Sequence, residues 1–176
     1  MMRALLVQVT VCTLVAVLGV PAALLVCTSI AYAGEKANWS ATYEDLVVLS
    51  ELTSNVPDQS GHVIKQIAET WTHHSKTDPM WEGATAVGVE HQDINNGNVT
   101  VHGYGTSTVK GGDKVSFSWQ GSGIISPQQE LTKGSFTWTG GTGKFQNIKG
   151  GGTYSCKAGP KEPVKCDWSS EGEMGS

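Results

Sequence analysis

The sequence predicts an all-β domain, a closed antiparallel barrel of about eight strands that follows an N-terminal export segment. Two observations carry the β assignment. Runs of strand length, alternating apolar and polar residues, recur from His62 to the C-terminus, and short Gly-, Asn- and Pro-containing turns separate them. A third observation favours the barrel. The chain has 22 glycines, nearly twice the average share of about 7%, and many lie inside those runs. A meander of seven or eight strands leaves its edges open unless it closes or folds into a sandwich. Glycines within strands, such as Gly88, Gly103, Gly105, Gly121, Gly123 and Gly150–Gly152, suit the bends and bulges of a tightly coiled barrel.

The stretch 34–61 reads as an N-terminal extension or a first strand, and residues 62–176 as the barrel domain. Tyr43–Leu52 mixes apolar and acidic residues without a clean period and fits a short helix or a strand. Val56–Gly61 is turn chemistry. His62–Ser75 then reads as a long strand, with Val63, Ile67 and Trp71 in phase with Lys65 and Glu69, and Ile64 and Ala68 on the opposite face. Pro79 breaks the pattern. Gly83–Ile94 places Thr85, Val87, Val89 and His91 on one face. Asn95-Asn96-Gly97 signals a hairpin, because Asn and Gly tolerate positive φ. Asn98–Val109 returns, with Val99 and Val101 opposite Thr100, His102 and Tyr104. After Gly111-Gly112-Asp113, the residues Val115, Phe117 and Trp119 alternate strictly with Ser116, Ser118 and Gln120. Leu131–Thr139 follows with Phe136 and Trp138 on one face. Phe145–Cys156 and Val164–Ser170 complete the set.

The first 33 residues have a different composition. Arg3 gives a short basic start, residues 4–33 carry no charge, and Ala31-Tyr32-Ala33 is the small-x-small pattern of a signal-peptidase site. Residues 1–33 therefore read as a signal peptide and the domain as exported, periplasmic or secreted, with no stable membrane insertion after cleavage. The rival reading is an uncleaved anchor formed by residues 4–30, which Gln8, Thr10, Thr13 and Pro21 interrupt. Arg3 is the only arginine. The other basic residues are scattered lysines, set against 16 acidic residues. Nucleic-acid binding is excluded on that balance, since phosphate neutralisation needs clustered Lys and Arg. In an exported domain Cys156 and Cys166 favour a disulfide, and the short loop it closes contributes roughly 2–3 kcal/mol. Their spacing is not that of a Cys-x-x-Cys redox pair.

Thr139-Gly140-Gly141-Thr142-Gly143-Lys144-Phe145, followed by Gly150, Gly152 and Tyr154, resembles a known pattern, as does Gly103-Tyr104-Gly105-Thr106 leading through Gly112-Asp113-Lys114. Together they resemble small exported bacterial proteins of uncharacterised function with an allene-oxide-cyclase-like β-barrel. The Gly-Gly-Thr-Gly-Lys-Phe turn is also similar to that of plant dirigent proteins, which share the barrel. The resemblance implies an eight-stranded, calycin-like barrel with a central cavity. It spans about Gly103 to Cys156 and consists of turn and bulge glycines, so it carries fold and transfers no functional residue.

Candidate chemistry is sparse. His62, His73, His74, His91 and His102 cluster in sequence. Strand pairing could unite His73, His91 and His102, but their spacing is no metal motif, and surface or hydrogen-bonded histidines are the ordinary outcome, so no metal is assigned. Among Glu69, Glu82, Glu90 and Asp93, solvated outward positions are the default. Glu69 shares its alternation with Ile67 and Trp71 and is the catalytic candidate, because a carboxyl inside an apolar cavity has a raised pKa. Of six tryptophans, Trp71, Trp119 and Trp138 are the candidates for an apolar ligand pocket, with Tyr104 added. Filling is their alternative role, and exposed rings would instead suit sugar stacking. No nucleophile or phosphate-loop motif occurs, and no motif requires a cofactor.

Three functions follow. The first is an exported binding module holding a small apolar or amphipathic ligand. The second is an isomerase or cyclase acting on a lipid-like substrate. The third is a structural or interaction protein with a filled barrel.

Overall fold

The computed structural model describes residues 35–175. The export segment predicted over residues 1–33 lies outside the described residues. Nine antiparallel strands follow one another: β1 (Glu35–Tyr43), β2 (Val47–Asn55), β3 (His62–His74), β4 (Thr85–Asn95), β5 (Asn98–Thr108), β6 (Lys114–Ile125), β7 (Glu130–Gly141), β8 (Lys149–Ala158) and β9 (Lys165–Met174). From β3 to β9 each strand pairs with the next, β9 pairs with β1, and β1 returns to β3 through Thr42↔His74 and Tyr43↔His73. Eight strands thus make the ring.

β2 does not enter the ring. It continues where β1 stops and occupies the rest of the same edge of β3, from Val47↔Thr70 to Asn55↔Val63. The break between them falls at two acidic residues with outside partners. Glu44 pairs with Lys165 at the start of β9, and Asp45 lies 3.5 Å from His74. Both β1 and β2 therefore fall within the stretch 34–61. The second edge of β2 has no strand partner among the described residues, and Val47, Leu49 and Leu52 are exposed there.

The hairpin expected at Asn95–Gly97 has Asn96 at φ 48° and Gly97 at φ 82°. Two consecutive left-handed residues give the primed turn whose twist matches paired strands. One run differs from its expectation. Phe145 is not in a strand. Gly143–Phe145 forms a 3₁₀ turn, and its Phe145 ring is fully buried at the end of the barrel. β8 begins only at Lys149, because the chain must first carry that ring inward. Cys156 and Cys166 face one another across β8 and β9 and are joined as a disulfide.

The connections 75–84, 109–113 and 142–148 close one end of the ring. Trp39, Trp81, Trp138, Trp168 and Phe145 fill it together with Val109, Val115 and Ile148. The rings meet mostly edge to face, the geometry favoured by their quadrupoles; Trp81 and Trp168 have centroids 4.8 Å apart. Each such aromatic buries about 150–250 Å², or roughly 4–6 kcal/mol of transfer free energy. This end supplies much of the domain's stability. Among the described residues no helix is long and apolar enough to cross a membrane.

Candidate functional site

The other half of the barrel is open. A cavity of about 250 Å³ runs inward from the end formed by the 56–61, 126–129 and 159–164 connections. Alternation sets its wall. β3 turns Lys65, Ile67, Glu69, Trp71 and His73 inward, and β4 turns Ala86, Gly88, Glu90 and Gln92 inward. Bulky rings fit in so small a ring of strands because glycines face them. A Cβ on Gly103 would overlap the Trp119 indole, one on Gly88 would lie 2.9 Å from both Trp71 and Trp119, and one on Gly105 would lie 2.8 Å from Phe117. These glycines, expected to serve bends, serve ring packing instead. Replacing Gly103 by Ala forces Trp119 to move. The expected cost is about 1–3 kcal/mol, read by urea unfolding, with a change in tryptophan emission. An unchanged spectrum would contradict this packing.

Trp119 is also a polar anchor. Its Nε1–H donates to Glu90 Oε2 at 2.8 Å, and Gln92 Nε2 donates to Glu90 Oε1 at 2.8 Å. Glu90 is thereby fixed at the wall. Glu69 differs: it is only 7% exposed and has no hydrogen-bond or ion-pair partner among the described residues. Burial pushes its carboxyl up to about 8, and the nearby charges of Glu90 and Glu130 push in the same direction. Glu130 is raised as well, first by burial and then by Glu90, with Lys65 acting against them. Two phenols complete the polar inventory. Tyr43 and Tyr154 are both raised, chiefly by burial and next by the glutamates. The Tyr154 hydroxyl and the Trp71 indole N–H are buried without a partner. Lys65 sits at the mouth, 3.2 Å from Glu51.

His73 marks the floor. Trp168 Nε1–H donates to its Nδ1 at 3.1 Å, so the ring proton is on Nε2, which donates to Ser107 Oγ at 3.0 Å. Both nitrogens are used by the neutral ring, and burial holds the pKa down to about 3.

Trp71, Trp119 and Trp138 all line the cavity, as does Glu69. Tyr104 does not. It is 68% exposed, because Gly103 and Gly105 take the inward positions on β5 and their alternation sends Tyr104 outside. The three histidines do not converge. His91 and His102 lie side by side on the outer face with ring centroids 4.8 Å apart, while His73 is inside. Glu82 and Asp93 are also outside, beside His74 and His62. Sequence reasoning missed Glu130, Tyr43, Tyr154 and Gln92. Glu130 had a readable signal: it is in phase with Thr132, Phe136 and Trp138 on β7.

No family model matches the chain, and a search of curated protein sequences finds no match. Solved structures do match. The pterocarpan synthase dirigent protein PsPTS1 is similar with a TM-score of 0.51 and 12% identity, over 82% of this chain and 99% of that one. The pterocarpan synthase dirigent protein GePTS1 is similar with a TM-score of 0.50 and 12% identity, over 82% of this chain and 94% of that one. The fold is thus the dirigent-like, allene-oxide-cyclase-like β-barrel. At this identity the likeness concerns fold alone.

Proposed function

We propose that this protein is an exported binding module that takes a small apolar or amphipathic molecule into the open half of its barrel. The observation that supports it most is the cavity itself. Indole and phenyl rings wall it, and unpartnered polar groups (the Glu69 carboxyl, the Tyr154 hydroxyl and the Trp71 N–H) face or adjoin its space. Pockets of this make-up, mostly apolar with a few convergent polar groups, are the usual form of small-molecule sites. Unsatisfied buried polar groups cost about 1–3 kcal/mol each, a cost that a ligand's own donors and acceptors would offset. Export rests on the Ala31-Tyr32-Ala33 site and on the disulfide.

A second reading, an isomerase or cyclase acting on a lipid-like substrate, has one specific observation in its favour. Glu69 keeps its proton at neutral pH and lies in the cavity, which suits general acid–base work. The similar solved structures are described as synthases.

Native mass spectrometry tests the main reading. The full chain is expressed with its own leader and recovered from the exported fraction. The expected spectrum shows a chain beginning at Gly34, an intact disulfide and an added small-molecule mass. Protein that stays bare after incubation with lipid and aromatic extracts would overturn the binding reading. Returning the released molecule to fresh protein separates the two functions: a binder leaves it unchanged, whereas an enzyme converts it and Glu69→Gln stops the conversion.

A further inference from the structure

We propose that the occupant of this cavity is an organic cation, an ammonium group on a compact apolar body, held by the three inward glutamates of β3, β4 and β7 against aromatic walls. The inference rests on the binding reading above and specifies its ligand class.

The charge inventory of the wall is one-sided. Around Glu69, β1 contributes Tyr43 and β8 contributes Tyr154, both neutral phenols. β2 contributes Glu51, β4 Glu90 and β7 Glu130. β3 itself adds Lys65 and the neutral His73. β5, β6 and β9 contribute no charged group to the wall. Lys65 is the one cation lining the cavity among the described residues, and it is engaged by Glu51 at the mouth. Burial, and after it the nearby charges of Glu90 and Glu130, raise the proton affinity of Glu69, and none of the three carboxyl groups has an ion-pair partner among the described residues. Buried charge of one sign is costly unless an opposite charge is supplied; Glu69 avoids that cost by keeping its proton, and a bound cation would take the proton's place.

The aromatic wall makes the same selection. Trp71 packs against Trp119 at 6.2 Å, Phe117 at 6.2 Å and Tyr43 at 5.3 Å. The electron-rich faces of such rings attract organic cations, most strongly where water is excluded. A metal ion fits less well, because no group of three His, Cys, Asp or Glu among the described residues is close enough to hold one. The glutamates are spread around a space that admits an organic body.

Proton bookkeeping distinguishes this ligand from a neutral one. A cation draws Glu69 into its ionised form, so binding near pH 7 releases a proton. Affinity rises with pH, approaching tenfold per unit, and levels off above about 8. A neutral hydrogen-bond acceptor that used the Glu69 proton would weaken above pH 8 instead.

The test titrates the protein, purified from expression of the full chain, with phenyltrimethylammonium and with its uncharged isostere tert-butylbenzene. Tryptophan fluorescence and calorimetry report binding, in buffers of different ionisation enthalpy. The quaternary ion has no proton of its own, so any proton released comes from the protein. At pH 8 the cation is expected to bind at least tenfold more tightly than the isostere. Glu69→Gln should remove up to about tenfold of that preference, and the double variant Glu69→Gln/Glu130→Gln should abolish it while still binding tert-butylbenzene. Equal affinities, tighter binding of the isostere, or a preference that survives the double variant would overturn the cation assignment and leave the cavity reading standing. If wild-type protein binds neither probe, both readings fall.

Discussion

Glu69→Gln should make the protein more stable at pH 8 and hardly change it at pH 4.5. The sign follows from linkage. The folded carboxyl holds its proton to about pH 8, whereas in the unfolded chain it ionises near 4.5. Between those values the unfolded chain releases a proton that the folded chain keeps. Folding therefore weakens as pH rises through the window, and the loss is complete above pH 8. Glutamine has no proton to release and removes the loss. The variant's stability relative to wild type should grow by on the order of 3 kcal/mol between pH 4.5 and 8, roughly 10 °C in melting temperature for a domain of this size. His73 works in the opposite sense. Its folded pKa of about 3 lies below the unfolded 6.5, so its contribution is present above pH 6.5 and is lost as pH falls. Wild-type stability should therefore decline on both the acid and the alkaline side, and the variant should lose the part of the alkaline decline that Glu69 causes. Melting curves for both proteins at pH 4.5, 6.5 and 8 decide the matter. A difference that does not change with pH would mean that Glu69 is solvated like a surface carboxylate. A buried acid that weakens its own fold is the kind of group expected at a functional site.

Turn chemistry and alternation made most of the strand order legible. Asn96-Gly97 defines its hairpin to the residue, and β3, β5 and β9 begin at or within a residue of their expected starts. Which face points inward was not legible, for a physical reason. On β4 the valines Val87 and Val89 face solvent, while Ala86, Gly88 and Glu90 face the interior. Hydrophobic alternation would assign the faces the other way round. The interior beside Gly88 is already occupied by the Trp71 and Trp119 rings, which reach across from β3 and β6. A small residue is required there, and apolar side chains are left to the outside. The same exchange on β5 explains Tyr104, which stands between two glycines that yield their space to Trp119 and Phe117. Glu69 could be singled out because the strict phase of β3 ties it to Ile67 and Trp71. Glu130 lies at the first position of β7, where alternation is easily cut off one residue short. β1 and β2 were obscured because one edge of β3 accepts two short strands in succession, and the acidic pair Glu44-Asp45 breaks the pattern between them.

Trp81→Ala should give the largest loss of stability, about 3–5 kcal/mol, the range for truncating a buried tryptophan. Trp81 is 1% exposed and lies on a connection, not on a strand. Its ring is surrounded by Trp168 at 4.8 Å, His73 at 5.4 Å, Trp138 at 6.0 Å and Trp39 at 6.4 Å. Its indole N–H has no partner, so the loss is one of packing and not of a hydrogen bond. The local backbone should survive, because Trp81 N–H donates to Asp78 O and Ala84 N–H donates to Trp81 O whatever side chain is present. Urea unfolding should therefore show a lower midpoint with an unchanged slope. The functional consequence runs the other way. Trp81 lines both the packed end and the floor of the cavity, so removing its ring joins a new void to the existing space. The variant should accept a ligand longer than any that the wild type binds, and Trp81→Phe should be intermediate in both stability and ligand length. A loss below about 1 kcal/mol would show that the neighbouring rings collapse into the gap, in which case longer ligands should gain nothing. The ring of strands is the same at both ends. What distinguishes the packed end from the open one is that the 75–84 and 142–148 connections send Trp81 and Phe145 inward, whereas the connections at the mouth send no comparable ring.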